Sequence, residues 1–157
     1  MLEIYTDGGC HGNPGVGAWA FVVYDALGHK VGTKSNYAEE ITTNIRMEMQ
    51  AILEALRFVN KHKKKCEILT DSKFSIDAIT KWLPGWKRKG WKKASGEPVA
   101  NQDLWELIDR ELQQYFNNNS ITVTLTHVKG HSGIQGNEEA DELTQIRISD
   151  RELDLRM

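Results

Sequence analysis

Three acidic residues, far apart along the chain, lie where their carboxylates can meet. Asp7 and Asp71 each follow a threonine at the end of a short apolar run, LEIYTD (2–7) and CEILTD (66–71). Glu48 lies one helical turn before an apolar stripe at helical spacing. Clustered carboxylates repel one another, and a bound cation removes that repulsion. Oxygen-only ligands favour Mg²⁺ or Mn²⁺ over zinc. The pattern predicts a divalent-metal site.

Each of these acids, taken alone, also has an ordinary structural explanation. An Asp after a strand is usually a turn former or a cap. Glu48 fits a solvated first-turn acid if Thr43 or Asn44 caps its helix. A fourth acid is available from GNEEADELT (136–144), where spacing selects none of the candidates. These candidates are Glu138, Glu139, Asp141 and Glu142.

The elements that must position these acids follow from the hydrophobic pattern. Strands are predicted at 2–7, 18–25, 30–37, 66–71 and 121–128, and helices at 44–60, 72–83, 101–116 and from about Asn137. The Gly-rich run 8–17 predicts a turn, and Pro84-Gly85 predicts a break after the 72–83 helix. A meander followed by strand–helix–strand units predicts one α/β domain, residues 1–157, with a mixed sheet. If the first and fourth strands are parallel neighbours, Asp7 and Asp71 share the sheet edge where ligands gather. Residues 144–157 are expected to be a frayed helix with a mobile charged end, a poorly constrained tail from about 145.

Composition bounds the class of protein. The chain has 157 residues, a net charge of −2, and no cysteine pair with metal-ligand or redox spacing. We see no signal peptide and no apolar run long enough to cross a membrane. These features predict a soluble, cytoplasmic protein, expected to be a monomer without an obligate protein partner. The chain starts within its first strand, so no appended domain is expected before it.

One segment departs from the overall acidity. KWLPGWKRKGWKKA (81–94) has six basic residues, three tryptophans and no acid. It fits a small satellite core with solvated lysines, or a nucleic-acid surface in which cations meet phosphates and aromatic faces meet sugars or bases. The two interpretations can coexist. The residues concerned are Trp82, Trp86, Lys87, Arg88, Lys89 and Trp91.

Five segments, in order and at family spacing, resemble the bacterial type 1 ribonuclease H family. They are TDGGCHGNPGVG (6–17), TTNIRMEMQAILEAL (42–56), TDSKF (70–74), WKRKGWKKASGEPVANQDLW (86–105) and HVKGHSGIQGNEEADELT (127–144). The resemblance covers roughly residues 1–145. It implies a five-stranded mixed sheet in the order 3-2-1-4-5 with helices on both faces. The implied activity is endonucleolytic hydrolysis of the RNA strand of an RNA–DNA hybrid, leaving 3′-hydroxyl and 5′-phosphate ends.

The resemblance also implies the site. It selects Asp141 as the fourth carboxylate and places His131 near the chemistry, as a base for water or an aid to product release. Two Mg²⁺ ions, with Mn²⁺ possible, would lie about 3.5–4 Å apart at the scissile phosphate. Asp7 would bridge both ions, Glu48 and Asp71 would hold the ion nearer the leaving group, and Asp141 the ion that activates water.

Substrate contacts are implied in the same way. The amides of Gly8, Gly9 and Cys10, with Asn13, Thr43 and Asn44, would read the RNA minor groove, where the 2′-hydroxyl separates RNA from DNA. The basic segment would grip the DNA strand, with weak sequence preference. Two positions depart from the family pattern: Ile45 replaces an amide side chain, and Lys73 replaces a glutamine. We expect altered substrate affinity from them rather than lost activity.

Two alternatives remain open on sequence alone. Another polynucleotidyl transferase of the same sheet, such as an integrase or transposase core, also clusters acids, although such cores generally lack the TDGG turn and the Trp-rich segment. A non-catalytic hybrid-binding module is the other alternative, and the presence of all four acids argues against it.

Overall fold

A single five-stranded sheet, in the order β3-β2-β1-β4-β5, organises the molecule; the computed structural model describes all residues 1–157. The strands are β1 (Leu2–His11), β2 (Val16–Tyr24), β3 (Lys30–Tyr37), β4 (Cys66–Thr70) and β5 (Thr124–His127). β2 pairs antiparallel with β1 and β3, whereas β4 pairs parallel with β1 and β5. The predicted mixed sheet and its strand order are confirmed.

Helices cover both faces of this sheet. They are α1 (Asn44–His62), α2 (Lys73–Asp77), α3 (Leu83–Arg88), α4 (Gln102–Asn119) and α5 (Gln135–Arg156). Successive strand residues point to opposite faces. A side chain at Gly8 would meet the α1 backbone at Met47, whereas Tyr5 lies against Gly136 of α5. α1 and α5 therefore pack on opposite faces, and α4 packs beside α1.

The apolar stripe of α1 lies in the centre of the core. Ile52, Ala55, Leu56 and Val59 are all fully buried. Thr43 caps the helix, and its hydroxyl accepts a hydrogen bond from the Arg46 amide. The stripe anchors α1 on the sheet, so its first turns extend to the sheet edge where Glu48 lies.

The first strand is longer than predicted. The sequence predicted a strand over 2–7 and a turn over 8–17, but β1 continues through His11, paired with β2 as far as Val16. Glycines usually weaken strands, yet Gly8 is required here because a Cβ would lie 2.2 Å from the Met47 carbonyl carbon. Asp7 therefore does not end β1, and Gly8–Cys10 is strand rather than turn.

The predicted break at Pro84-Gly85 is also wrong. After α2, the chain continues as a π-helical turn, Ala78–Trp82, and then directly as α3. Pro84 lies in the first turn of α3. Proline is tolerated there because it has no N–H, and an N–H in the first turn would have no acceptor within the helix. The basic segment therefore begins on helix rather than on a loop.

The ends of the last elements differ from prediction as well. β5 is only Thr124–His127, not 121–128, because its pairing with β4 begins at Thr124 opposite Glu67. α5 runs through Arg156, where a frayed helix and mobile end were expected. Side chains on the C-terminal half of α5 contact β1 and the segment after β3, and these contacts hold the end of the helix in place. None of the helices combines the length and apolarity that crossing a membrane requires.

Candidate active site

The parallel pairing of β1 with β4 brings two acids together. That pairing ends with Thr6 opposite Thr70, so Asp7 and Asp71 are the next residue on each strand. Asp71 leaves the sheet here, whereas Asp7 stays within the β1–β2 ladder opposite Ala20. Asp7 and Asp71 therefore lie side by side because the strands are parallel neighbours in register, and the charge of Asp71 contributes to the raised pKa of Asp7.

Asp7 is the most buried of the acids, with 9% of its surface exposed. Burial raises its pKa to about 7, with smaller contributions from the charges of Asp71, Asp141 and Glu48. A hydrogen bond with the Thr144 hydroxyl on α5 opposes this shift. Asp7 therefore senses the three other carboxylates, and the four share one site.

Glu48 and Asp71 complete the buried side of this site. Burial raises the pKa of Glu48, as does the charge of Asp71, while a hydrogen bond with Ser72 lowers it. Burial also raises the pKa of Asp71, and the charge of Asp141 adds to the rise, against the opposing effects of His131 and His127. Glu48 lies in the second turn of α1, so it points to the shared edge rather than serving as a first-turn acid.

The structure separates the acids that open α5. Glu139 accepts a hydrogen bond from Tyr24 and pairs with Lys30 at 2.9 Å, so it is engaged away from the site. Glu142 is exposed. Asp141 and Glu138 instead have carboxylate oxygens within 4.8 Å of each other and of a ring nitrogen of His131.

Glu138 is the site residue that sequence reasoning did not select. It lies three residues before Asp141, on the same face of α5. Its carboxylate also accepts a hydrogen bond from the Gly133 amide, which ties the preceding loop to the helix. The i, i+3 spacing was the available signal, but four acids within five residues offered several such choices.

The loop after β5 brings His131 to the same edge. His131 has a left-handed backbone, φ 56°, and is exposed. A Cβ on its neighbour Gly130 would lie 2.8 Å from Asp71 Oδ2, so this loop packs directly against the carboxylate. The position of His131 therefore follows from loop packing, and its side chain faces Asp141 and Glu138.

The chemistry of this group of residues fits a divalent cation. Asp7, Glu48 and Asp71 have raised pKa values partly because each senses another negative charge. Like charges in a partly buried site are costly unless a counter-ion neutralises them. The donors are carboxylate oxygens, which suit hard cations, with His131 at the exposed side.

A hydrogen-bond network joins β1 to the start of α1 beside the acids. The Cys10 amide donates to Asn44 Oδ1 at 2.9 Å, and the Asn44 amide donates to Asn13 Oδ1 at 3.1 Å. Both side-chain carbonyls are therefore occupied, and neither NH₂ group donates a hydrogen bond within the protein, so both remain available as donors. The Cys10 amide, expected to read substrate, is already committed to Asn44. Gly8 and Gly9 belong to the same strand, with Gly9 against Asn44.

The tryptophans of the basic segment form a satellite of the main core. Ring centroids follow one another at 5.5 Å from Phe74 to Trp82, 6.0 Å to Trp86 and 5.9 Å to Trp105, which is 1% exposed. Trp91 also packs against the core, and its amide donates to the Trp86 carbonyl. Trp82 stays 39% exposed.

Most cations of this segment point to solvent. Lys87 pairs with Asp109 at 3.0 Å and Lys81 with Asp77 at 3.2 Å. The remaining basic residues are exposed and make no ion pair: Arg88, Lys89, Lys92 and Lys93. The satellite core is therefore present, with an exposed basic surface over it, while contact of this surface with nucleic acid stays a prediction. Lys73, at the start of α2, is likewise exposed and unpaired.

This fold and site define an α/β protein whose clustered carboxylates suit metal-assisted phosphoryl transfer. Comparison with known proteins gives the family. The family model described as RNase H matches residues 1–149. A ribonuclease H of Cyanothece sp. (strain PCC 7425) is 46% identical over 159 aligned positions, covering 99% of this chain and 94% of that protein.

Solved structures agree with this assignment. LC9-RNase H1, described as a type 1 RNase H with the type 2 active-site motif, is 28% identical with a TM-score of 0.78, covering 95% of this chain and 72% of that one. LC11-RNase H1, solved with an RNA/DNA hybrid, shares the fold at 22% identity and a TM-score of 0.73, covering 96% and 99%. The chain belongs to the ribonuclease H family. The resemblance seen in the sequence is confirmed, and so is the enzyme class, an endonucleolytic hydrolase.

Proposed function

We propose that this chain hydrolyses the RNA strand of RNA–DNA hybrids, leaving 3′-hydroxyl and 5′-phosphate ends, with divalent ions held by Asp7, Glu48, Asp71 and Asp141. The observation that carries this proposal is the convergence of four acids from four elements at one sheet edge, where the pKa of Asp7 is raised to about 7. Family membership supports the reaction, and relatives bear its name.

Mg²⁺ is the ion proposed, since hard oxygen donors suit it, and Mn²⁺ can take its place. When bound, a pair of such ions polarises the phosphate and lowers the pKa of a water nucleophile. The chain's contribution is to place four carboxylates at one point, where the charge of a bound cation would favour their ionised forms. Thr144 and Ser72 assist, because these polar neighbours lower the pKa values of Asp7 and Glu48 against the effect of burial.

His131 is proposed to move protons at the exposed side of the site. Its ring nitrogen lies within 4.8 Å of carboxylate oxygens of Asp141 and Glu138. An imidazole can accept a proton from water near neutral pH and release it to solvent. An exposed loop suits this role, because the ring can turn between the scissile phosphate and bulk water. The same contact can loosen the product.

Selection of RNA is assigned to the network at the start of α1. Because the carbonyls of Asn13 and Asn44 are bonded within the protein, their NH₂ groups are fixed as donors toward a bound strand. A donor there pairs with the 2′-hydroxyl or with base acceptors in the wide minor groove of an A-like hybrid. Thr43 holds this geometry through its cap.

The basic segment is proposed to hold the DNA strand. Its unpaired cations neutralise phosphates, and Trp82 offers an exposed ring to a sugar or base. Such contacts follow the backbone, so sequence preference should be weak. We expect the enzyme to act as a monomer in the cytoplasm, without an obligate protein partner.

A strand-specific cleavage assay tests the proposal. A hybrid labelled on either strand is incubated with enzyme and Mg²⁺, with and without EDTA, beside DNA–DNA and RNA–RNA duplexes. We expect internal cuts in RNA only, abolished by EDTA and by Asp71→Asn. Asp25→Asn is the matched control, because Asp25 lies in the β2–β3 turn and bonds only within that turn.

Two results would contradict the proposal. Retarded but intact hybrid, with Mg²⁺ present, would indicate a non-catalytic binding module. Joining of DNA ends would indicate a transferase. Product ends are checked by ligation, which distinguishes 5′-phosphate from 5′-hydroxyl.

A further inference from the structure

The C-terminal half of α5 is hydrogen-bonded to the end of β1 through His11. The His11 ring places Nδ1 at 2.8 Å from Glu152 Oε1 and Nε2 at 3.0 Å from Gln145 Oε1. Gln145 and Glu152 lie seven residues apart, two helical turns, so one histidine spans one face of the helix. No other histidine in the chain has both ring nitrogens in hydrogen bonds with side-chain acceptors.

A second set of contacts joins the same half of α5 to the end of β3 and the segment after it. Arg151 donates to the Glu39 carbonyl oxygen at 2.8 Å, and its guanidinium lies 5.0 Å from the centre of the Tyr37 ring. Arg147, one turn earlier, donates to the Ser35 hydroxyl at 3.0 Å. α5 therefore contacts β1 and β3 from beyond the catalytic end of the helix.

The two segments that α5 contacts, the end of β1 and the segment after β3, lead to the proposed substrate contacts. His11 follows Cys10, whose amide bonds Asn44. The segment after β3 is joined to the β1–β2 hairpin by paired bonds between Gly15 and Thr42, both at 2.9 Å. Thr42 then leads directly to the cap of α1. Hairpin and helix start thus form one block, which α5 holds at two points.

We propose that residues 145–156 of α5 are a brace that positions the Asn13–Asn44 donors for the hybrid, and that protonation of His11 tightens it. The inference rests on the proposed function and concerns substrate affinity, not the chemical step. His11 is a positioning residue here: it is the last residue of β1, two residues before Asn13, and its ring contacts α5 rather than substrate or a metal ligand.

The geometry explains the role of the proton. Two acceptor oxygens face two ring nitrogens, and only the imidazolium can donate to both. Glu152 supplies the one charge facing the ring from α5, β2 places the uncharged Val16 opposite His11, and Arg151 is turned to Glu39. The hydrogen bonds with Gln145 and Glu152 raise the pKa of His11. The brace is therefore complete below the ordinary histidine pKa of 6.5 and weakens as pH rises through the raised value.

Steady-state cleavage of a hybrid, followed as KM and kcat between pH 6 and 9, tests the brace. In the unmodified enzyme KM should rise about two- to fivefold with pH, the range that breaking one exposed ion pair allows. His11→Ala and Glu152→Gln should show the higher KM at every pH, with kcat equal to that of the unmodified enzyme at each pH. His11→Lys keeps the cation, so its KM should stay low and flat.

His29→Ala is the matched control, since His29 lies near a carboxylate in the β2–β3 turn. It should reproduce the unmodified profile. A flat KM in the unmodified enzyme, or unmodified profiles after His11→Ala and Glu152→Gln, would overturn the brace. So would a fall in kcat with KM unchanged. A chain ending at Ile148, if it folds by circular dichroism, loses both Glu152 and Arg151 and should show a KM at least as high as that of His11→Ala at every pH. Absence of hybrid cleavage by the unmodified enzyme would instead reject the proposed function.

Discussion

The carboxylate edge and the basic segment carry opposite charges and are built in opposite ways. At the edge, acids from four parts of the chain are drawn together and partly buried, and burial with neighbouring negative charge raises the pKa values of Asp7, Glu48 and Asp71. In the basic segment, an aromatic layer is buried and the cations stay in water. The first arrangement costs stability without its ion, and the second costs almost none.

This difference matches the two tasks proposed for these regions, metal binding at the edge and strand binding on the basic segment. Concentrated negative charge is needed where a metal ion must be held in one place. Spread positive charge suffices where a strand must be held along its length, since counterion release does not depend on fine geometry. Substitutions at the edge should therefore change kcat and stability, while substitutions in the basic segment should change affinity and salt dependence.

Asp7→Asn should have the largest effect. Removing one ligand charge at the centre of the four acids should lower kcat at least about 10³-fold, since metal-ion stabilisation amounts to several kcal/mol. Single-turnover cleavage with saturating enzyme measures this directly. Full activity of a correctly folded Asp7→Asn variant would show that the carboxylate edge does not take part in catalysis.

The same acid should set a pH dependence of stability in metal-free protein. The unfolded Asp loses its proton near 3.8, whereas folded Asp7 keeps it to about 7, so the folded state binds more protons between these values. Stability should therefore fall as pH rises from 4 to 7, by on the order of 4 kcal/mol for this group.

Urea denaturation in EDTA at several pH values measures this fall. Asp7→Asn should flatten the decline, and Mg²⁺ should restore stability to the unmodified protein at pH 8. Equal slopes for the variant and the unmodified protein would show that Asp7 ionises normally.

Removing cations from the basic segment should have a smaller, purely binding effect. Arg88→Ala with Lys89→Ala should raise the Kd for hybrid and reduce the salt slope by about one for each phosphate that is no longer neutralised. Fluorescence anisotropy at several salt concentrations measures both. Lys63→Ala with Lys64→Ala, at the far end of α1, is the matched pair and should leave the slope unchanged.

The two departures from the family pattern should give the smallest effects. Ile45→Asn adds a carboxamide next to Asn44, and one hydrogen bond of roughly 0.5–1.5 kcal/mol predicts about two- to tenfold tighter binding. Lys73→Gln removes an exposed unpaired cation and should lower the salt slope. Unaltered KM after Ile45→Asn would count against any substrate contact at that position.

How much of the molecule can be predicted from the sequence depends on whether a feature is local. The stripe of α1 and the Thr43 cap follow from residues within one helix, and the strand order followed from the family resemblance. β1 was predicted too short, because Gly8, which looks like part of a turn in the sequence, is required in the strand by close packing against Met47. Pro84 was predicted to break the helix. It is tolerated because it lies in the first turn of α3, and the start of α3 cannot be read from the local sequence.

The chemistry available to this chain can be read from its residues alone: an acid after Thr6 and another after Thr70, one acid beside a helix stripe, and a basic run with tryptophans. Residue types and periodicity are enough for that, since both are local properties of the chain. Folding, in contrast, selects which of the four acids on α5 face the site, brings Glu138 to Asp141 and His131, and returns α5 to His11. These depend on distances between residues remote in sequence, which packing fixes and spacing does not.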